Sequence, residues 1–440
     1  MPSVPALLVL IPLVPVPSGG SDWPQFRGPD GTGAVPAADI PLEWSALKNL
    51  AWSVELPGQG WSQPVVVGGT VYVTAALGEG LETPMAMEAG VADPRTQAAG
   101  AVPDVTIEWR VLALDLATGK ERWSASAGKG KPRYTIHPSN TWAAETPVAD
   151  ANGVYAFFGA SGTLAAFDPA GKPLWKAELG SYPTAQGYGT ASSPAIHEGK
   201  VFVQCFNDEK AFLACFDAKN GKELWRVAHE KPGTSWASPL AWHNGKRVEL
   251  VVSGNKLITS HDPATGKELW RVAGVNGPMC SFGADAERLY FGQSTMAKLP
   301  LYALNAGGEG DLSSAAGSGE LRAQAWSQKG AAPGLPSPVV ADGLLYVASE
   351  NLLTCRDSAT GEQLYEERVP ELVSILASPI VVGEMLLLLD EEGRAAIVQV
   401  GPEFQVVGRG QLDDLFWSTP SVAGNALLLR GVGRLYCVRK

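Results

Sequence analysis

The stretch DLATGKERW, residues 115–123, decides the fold of this chain because its pattern recurs. An aspartate is followed by a glycine and then by an aromatic residue at nearly constant spacing. Five copies are present: Asp115, Gly119 and Trp123; Asp168, Gly171 and Trp175; Asp217, Gly221 and Trp225; Asp262, Gly266 and Trp270; Asp357, Gly361 and Tyr365. Such self-similarity predicts a repeat architecture.

The chemistry of the three positions explains their order. The aspartate carboxylate accepts backbone N–H groups and begins a turn. The glycine adopts the left-handed conformation that a short hairpin needs. The aromatic ring then lies on the next strand, where a large flat side chain fills a gap between sheets. We therefore assign these residues structural roles, and we predict that none of the repeat aspartates is catalytic.

A second motif precedes each copy and gives the number of units. A small or polar residue followed by proline opens an apolar strand, as in Ser193-Pro194, and Ser281-Phe282 occupies the same slot without proline. The eight anchors are residues 64, 147, 194, 239, 282, 338, 379 and 420, and most lie 41 to 47 residues apart. This period accommodates four strands, the size of a propeller blade. Two longer gaps predict insertions near residues 78–106 and 307–323.

The two ends of the chain predict how the repeats are joined. The last unit stops at residues 435–440, whereas residues 50–54 form an unassigned strand that carries Trp52 where a repeat tryptophan belongs. The seventh unit lacks its tryptophan, so residues 404–407 are expected to pack in that gap. We predict an all-β fold, an eight-bladed β-propeller of four-stranded antiparallel blades over residues 21–440. The N-terminal strand completes the last blade, which closes the ring and removes exposed edges.

Composition narrows the range of functions. The net charge is −11 and no basic cluster stands out, which argues against nucleic-acid binding. The five cysteines are scattered without a CxxC pair, and no two histidines have metal-ligand spacing, so we predict no metal site. Cys205 and Cys215 flank a predicted hairpin turn. A disulfide and two buried free thiols both remain possible for this pair.

Residues 1–20 predict an export signal. The apolar run ALLVLIPLVPV, residues 6–16, has the length of a secretory h-region and is too short and too rich in proline to span a bilayer as a helix. No lysine or arginine precedes Arg27, so the leader is atypical. We expect an exported, monomeric protein of the periplasm or cell envelope that is at most peripheral to the membrane.

The repeats resemble those of the β-propeller family related to enzymes that use pyrroloquinoline quinone (PQQ). That family includes quinoprotein alcohol dehydrogenases and, more distantly, BamB. Its signature AxDxxTGxxxW is present over residues 113–123, and DWPQFRGPDG at residues 22–31 resembles exported propellers of planctomycete-type bacteria. The dehydrogenases of this family carry adjacent cysteines over PQQ and oxygen ligands for Ca²⁺. This chain has no Cys-Cys pair, and none of its motifs supplies that ligand set.

The stretch YTIHPSNTWAAE, residues 134–145, is the strongest candidate for ligand contact. It concentrates an imidazole, an amide, an indole and a carboxylate in the connection that enters the second blade, a mixture typical of ligand pockets. Alternatively, the same side chains only cap that connection. Aromatic residues at the next two entries suggest an aromatic rim suited to peptides or sugars. The candidate ligand-face residues are His137, Asn140, Trp142, Glu145, Tyr188 and Trp236.

We therefore predict a non-enzymatic binding or scaffold propeller with no catalytic, cofactor-binding or metal-binding residue. Its partner would be a protein, peptide or glycan of the envelope. Two alternatives remain. One is a PQQ- and Ca²⁺-dependent quinoprotein-like oxidoreductase acting on alcohols or sugars. The other is a carbohydrate- or peptide-processing enzyme that uses the acidic loops. The missing cysteine pair and metal ligands favour the binding protein.

Overall fold

The computed structural model describes residues 22–86, 101–275, 279–292, 299–314 and 320–440, which are almost entirely β-strands, turns and loops. The strands form eight sheets, each built on four antiparallel strands. In these residues the only helical segment is the 3₁₀ turn Ala185–Gly187, and no helix is long and apolar enough to cross a membrane. The all-β prediction is confirmed. The predicted leader lies outside the described residues.

The first four sheets follow the chain, and each runs from its innermost to its outermost strand. Sheet 1 contains Val65–Val67, Thr70–Leu77, Ile107–Asp115 and Glu121–Gly130. Sheet 2 contains Val148–Asp150, Gly153–Phe158, Thr163–Phe167 and Pro173–Glu178. Sheet 3 contains Ala195–His197, Lys200–Cys205, Phe212–Asp217 and Glu223–Ala228. Sheet 4 contains Leu240–His243, Val248–Gly254, Leu257–His261 and Glu268–Ala273.

The last four sheets repeat this order, except that sheet 8 takes its outermost strand from the N-terminal part of the chain. Sheet 5 contains Gly283–Ala284, Arg288–Phe291, Leu301–Asn305 and Gln324–Gln328. Sheet 6 contains Val339–Ala341, Leu344–Ser349, Leu352–Asp357 and Gln363–Arg368. Sheet 7 contains Ile380–Val382, Met385–Leu389, Arg394–Gln399 and Val406–Gln411. Sheet 8 contains Ser421–Ala423, Ala426–Arg430, Arg434–Val438 and Leu50–Glu55.

The pairing in sheet 8 joins the two ends of the chain as predicted. Leu50–Glu55 is antiparallel to Arg434–Val438, with Trp52 opposite Cys437. Three further short strands pair in parallel at sheet edges: Ala34–Val35 on sheet 7, Glu43–Trp44 on sheet 7 and Gly310–Asp311 on sheet 4. The last of these lies in the predicted insertion 307–323. Residues 315–319 of that insertion and residues 87–100 of the insertion 78–106 lie outside the described part of the chain.

The repeated glycine and aromatic residue meet across the boundary between neighbouring sheets. A Cβ placed on Gly221 would lie 2.5 Å from the indole of Trp175, which belongs to the preceding sheet. Trp175 also donates from Nε1 to the carbonyl of Ala218 at 2.8 Å. The same docking joins Trp52 to Gly119, Trp123 to Gly171, Trp225 to Gly266 and Trp326 to Gly361. Each of these glycines therefore leaves room for an indole of the neighbouring sheet, because a side chain at that position would overlap the ring.

Two positions depart from the expected packing. Trp270 is 1% exposed and donates within its own sheet to Glu249, whereas Trp123, Trp175 and Trp225 are only half-buried. In sheet 7, the missing indole is supplied by Trp44, which is buried against Gly410. Residues 404–407 were expected to fill that gap: Val407 packs against the core that contains Trp44, whereas Phe404 packs against Tyr365 of sheet 6 with ring centroids 5.7 Å apart.

The five cysteines are buried free thiols, so Cys205 and Cys215 form no disulfide. Cys215 is paired with Phe202, three residues from Cys205 on the neighbouring strand. Because side chains alternate along a strand, the two sulfurs lie on opposite faces of sheet 3. Burial raises the pKa of both thiols to about 12, so both stay protonated at neutral pH.

Candidate functional site

All eight sheets contribute to one cavity of about 330 Å³, which we call the central cavity. The first tier of its wall is the residue that precedes each anchor. These residues are Gln63, Thr146, Ser193, Ser238, Ser281, Ser337, Ser378 and Thr419. Since each sheet provides one of them at the start of its innermost strand, the cavity lies where the eight innermost strands converge. Its volume is within the range of small-molecule sites.

A chain of hydrogen bonds fixes the first tier. The backbone N–H of each residue donates to the side-chain hydroxyl of the corresponding residue in the next sheet. These bonds run from Gln63 to Thr419 and are 2.9–3.1 Å long. The amide of Gln63 donates to the carbonyl of Pro420 in sheet 8 at 2.6 Å. Seven hydroxyl oxygens are thus held in place, each as the acceptor of one backbone N–H.

The second tier lies two residues before the first. It consists of Trp61, Ala144, Ala191, Trp236, Met279, Leu335, Leu376 and Trp417. Sheets 1, 4 and 8 present indoles, and sheets 5 to 7 present aliphatic side chains. At sheets 2 and 3 the residue is alanine, and the wall there also contains His137, Ser139, Asn140 and Tyr188.

The three indoles of the wall have their only polar group engaged by acceptors of the protein itself. Trp61 donates from Nε1 to the carbonyl of Ser139 at 2.9 Å, and Trp236 donates to the carbonyl of Gly189 at 2.8 Å. Trp417 donates to the carboxylate of Glu391 at 2.5 Å. Trp61 and Trp417 are nearly parallel, with an interplanar angle of 15° and centroids 6.1 Å apart. The indoles therefore offer carbon surface to a ligand.

Four of the six candidate ligand-face residues line the central cavity: His137, Asn140, Tyr188 and Trp236. His137 meets Tyr188 edge-on at a centroid distance of 5.0 Å, and Tyr188 lies 6.3 Å from Trp236. Asn140 donates to the carbonyl of Tyr188 at 2.9 Å and accepts the backbone N–H of Thr141 at 2.7 Å. These residues thus border the cavity and also cap the connection that enters sheet 2. The two interpretations of residues 134–145, ligand contact and capping, are therefore compatible.

Trp142 and Glu145 do not border the cavity. Trp142 is 6% exposed and belongs to the core between sheets 1 and 2. Glu145 is 1% exposed and accepts hydrogen bonds from the backbone of Gly159 and the hydroxyl of Thr190. Burial raises the pKa of the Glu145 carboxyl above its ordinary value. Both side chains hold neighbouring segments together.

Residues 23–35, which we call the crossing segment, run over one end of the central cavity. The segment bonds in order to sheets 1, 2, 3 and 7, through Trp23 with Val66, Pro24 with Ala149, Gln25 with Ile196 and Gly33 with Val381. Phe26 forms part of the cavity wall. The motif DWPQFRGPDG at residues 22–31 therefore closes the cavity at this end.

Arg27 anchors the crossing segment beneath the cavity. Its guanidinium is 1% exposed and donates to the carbonyls of Thr32, Phe282 and Pro338 at 2.5–2.6 Å. The last two belong to sheets 5 and 6. Burial lowers the pKa of Arg27 to about 10, so the group remains charged at neutral pH. A buried cation held by carbonyls ties this segment to the far side of the molecule.

The first-tier hydroxyls and the indoles of Trp61 and Trp417 were not predicted as site residues. A usable signal was present, because Trp61, Trp236 and Trp417 all stand two residues before a polar residue that precedes an anchor. Aligning the chain on the anchors would have placed them together. Arg27 carries no such signal, since its partners are backbone carbonyls.

The eight repeated sheets and their shared cavity define a β-propeller of the PQQ-like repeat type. The family model described as outer membrane protein assembly factor BamB matches residues 44–207, 108–273, 209–307 and 301–400. The chain belongs to this family.

Individual relatives carry different functions. Polyvinylalcohol dehydrogenase from a Pseudomonas species is 28% identical over 208 residues, which are 43% of this chain and 25% of that protein. BamB from Moraxella catarrhalis is 15% identical, with a TM-score of 0.58 over 89% of this chain and 97% of that one. Quinohemoprotein alcohol dehydrogenase from Comamonas testosteroni is 14% identical, with a TM-score of 0.64 over 95% and 80%. These structural likenesses show the fold alone.

The residues of the central cavity do not fit PQQ. The cofactor is a planar, anionic quinone that needs cationic side chains and a metal held by oxygen ligands. Within the described residues, the cavity lining contains no lysine, arginine, aspartate or glutamate. The same part of the chain contains no group of three or more histidine, cysteine, aspartate or glutamate residues that could hold a metal. The indoles could stack on the cofactor, but its charge would be left uncompensated.

Proposed function

We propose that the chain is a non-enzymatic binding or scaffold propeller of the periplasm or cell envelope, with the central cavity as its ligand site. The proposal includes closure of the eight sheets into a single ring. Contacts between sheet 8 and sheet 1 support closure. The buried Arg430 donates to the carbonyls of Ser62 and Thr74, and Trp52 docks on Gly119. A closed ring presents all eight cavity positions to one small ligand.

The observation that carries this proposal is a described cavity lining without lysine, arginine, aspartate or glutamate. Burying an unpaired charge is strongly unfavourable, so a wall of hydroxyls, indoles and aliphatic groups selects neutral ligands. A hydroxyl and an imidazole of the lining, Ser139 and His137, lie 2.6 Å apart, but no aspartate or glutamate among the described lining residues completes a catalytic triad or forms a carboxylate pair. A wall of this composition supports ligand binding better than catalysis.

We expect the purified protein not to bind PQQ. Calorimetric titration with PQQ in the presence of Ca²⁺ should give no stoichiometric heat, and the two ligands should not shift the melting temperature. Dye-coupled oxidation of alcohols and sugars should stay at the level of the buffer. Stoichiometric binding at micromolar or tighter affinity would overturn the proposal.

A quinoprotein-like oxidoreductase is the second candidate. It is supported by the similarity to a polyvinylalcohol dehydrogenase over 43% of the chain. The stacked indoles of Trp61 and Trp417 would suit a planar ring. The same titration separates the candidates, because only this one requires PQQ and a metal.

We expect the leader to direct export, which supports the proposed envelope location. Residues 1–40 fused to a reporter that is active only after export should yield activity in the periplasm. A fusion starting at residue 41 serves as the control and should remain inside the cell. Cytoplasmic retention of the first fusion would count against this location.

A further inference from the structure

We propose that the central cavity binds a neutral carbohydrate, a sugar whose ring stacks on the indole wall while its oxygens bond to the first-tier hydroxyls. This inference rests on the proposed function and adds the chemical class of the ligand. It is carried by three observations: the buried hydroxyls, the indole faces and a described lining without lysine, arginine, aspartate or glutamate.

Each first-tier hydroxyl is available to donate a hydrogen bond to a ligand. Each of the seven oxygens already accepts a backbone N–H, and all seven residues are buried. No acceptor for their protons is found within the described ranges. Buried hydroxyl groups normally find a partner, so a ligand or ordered water must supply these acceptors. A ligand that meets several donors of this tier needs oxygen atoms spread around its perimeter.

The second tier supplies an apolar surface that complements the first-tier hydroxyls. Since the N–H groups of Trp61, Trp236 and Trp417 already donate to protein acceptors, the wall presents flat indole carbon surface. A pyranose has C–H groups on its faces and hydroxyls on its edge, so one molecule matches both tiers. A purely apolar ligand would leave the hydroxyl donors unsatisfied, and that carries a free-energy penalty.

Charge decides which sugars fit. The described lining has no lysine, arginine, aspartate or glutamate to pair with a carboxylate or an amine, and Nδ1 of its single imidazole, His137, contacts the hydroxyl of Ser139 at 2.6 Å. Desolvating an unpaired carboxylate is strongly unfavourable, so acidic sugars should be rejected even where their shape is acceptable. The cavity volume of about 330 Å³ suits a small saccharide or the end of a glycan chain.

The test is calorimetric titration of the full chain with three neutral disaccharides: cellobiose, maltose and N,N′-diacetylchitobiose. We expect at least one to bind at millimolar or tighter affinity. For that sugar, the analogue with one primary alcohol oxidised to a carboxylate should bind at least about tenfold more weakly. No binding by any of the three, or equal binding of the acid, would overturn the inference.

Variants locate the site. Trp417→Leu should lower the affinity for the bound sugar about tenfold or more, and Ser281→Ala should lower it by a smaller factor. The matched control is Trp175→Phe, because Trp175 lies at a sheet boundary outside the cavity and its variant should bind normally. If Trp417→Leu does not fold, Trp236→Leu provides the same test on the opposite wall. Unchanged affinity in a folded cavity variant would overturn this placement.

The outcomes separate this inference from the proposed function. If neither a neutral sugar nor PQQ binds, the ligand class is wrong and the binding propeller still stands. If a sugar binds and is oxidised in the presence of PQQ, the inference of a carbohydrate ligand is supported and the proposed non-enzymatic function is wrong.

Discussion

Replacing Trp270 by alanine is expected to lower the free energy of unfolding by about 3–5 kcal/mol, as full truncation of a buried aromatic does. Trp270 is 1% exposed in the core of sheets 4 and 5. Its Nε1 donates at 2.5 Å to Glu249, whose carboxylate is fully buried. The variant thus opens a cavity and removes a donor from a buried anion. Urea denaturation followed by circular dichroism measures the loss.

Two companion variants show which contribution dominates. Trp270→Phe keeps one six-membered ring and loses the donor together with part of the ring volume, so about 1–3 kcal/mol is expected. Trp225→Ala truncates a half-buried indole that docks on Gly266 of the next sheet, and its loss should be clearly smaller than that of Trp270→Ala. A loss below about 1 kcal/mol for Trp270→Ala would show that this indole is not a packing anchor.

Replacing Arg27 by methionine is expected to cost on the order of 3 kcal/mol, because it leaves buried carbonyls of three segments without a donor. These are the carbonyls of Thr32, Phe282 and Pro338. Methionine keeps much of the length and volume of the side chain, so the loss reports mainly on the hydrogen bonds. Denaturation measures stability, and hydrogen exchange of residues 23–35 measures whether the crossing segment detaches.

The control for Arg27 is Arg368→Met, which removes an exposed guanidinium from the edge of sheet 6. It should leave both stability and exchange nearly unchanged, as surface substitutions usually do. Arg27→Lys adds a further comparison, since its single ammonium cannot reproduce the fork that reaches two sheets. If Arg27→Met leaves exchange in the crossing segment unaltered, the anchoring role is refuted.

The fold was predictable where the repeat spacing survives in the sequence. The anchors place eight sheets, and Trp52 marks the strand that completes the last one. Trp326 was not predicted as a repeat tryptophan because the insertion near residues 307–323 separates it from its own turn. Trp44 was not predicted because it enters sheet 7 on a short parallel strand, which has no periodic pattern. Repeat spacing therefore does not predict tryptophans that follow an insertion or lie on a short strand at the edge of a sheet.

The site was predictable only in part, because side-chain chemistry alone does not report which loops converge. His137, Asn140, Tyr188 and Trp236 stood out as polar and aromatic residues at entries to the sheets, and they line the cavity. Glu145 has the same chemistry but faces Gly159 and Thr190 in the interior. The first-tier serines were interpreted only as residues that open a strand, and it is the fold that brings them together.

The strand Leu50–Glu55 leaves the ribosome early, but its partner Arg434–Val438 begins 379 residues after Glu55. Sheet 8 therefore cannot be completed until residue 438 has been synthesised, and pairing over such a sequence distance is slow. Until then sheet 8 has an open edge, to which a strand of another chain can add. We therefore expect the partly synthesised chain to pass through an aggregation-prone period.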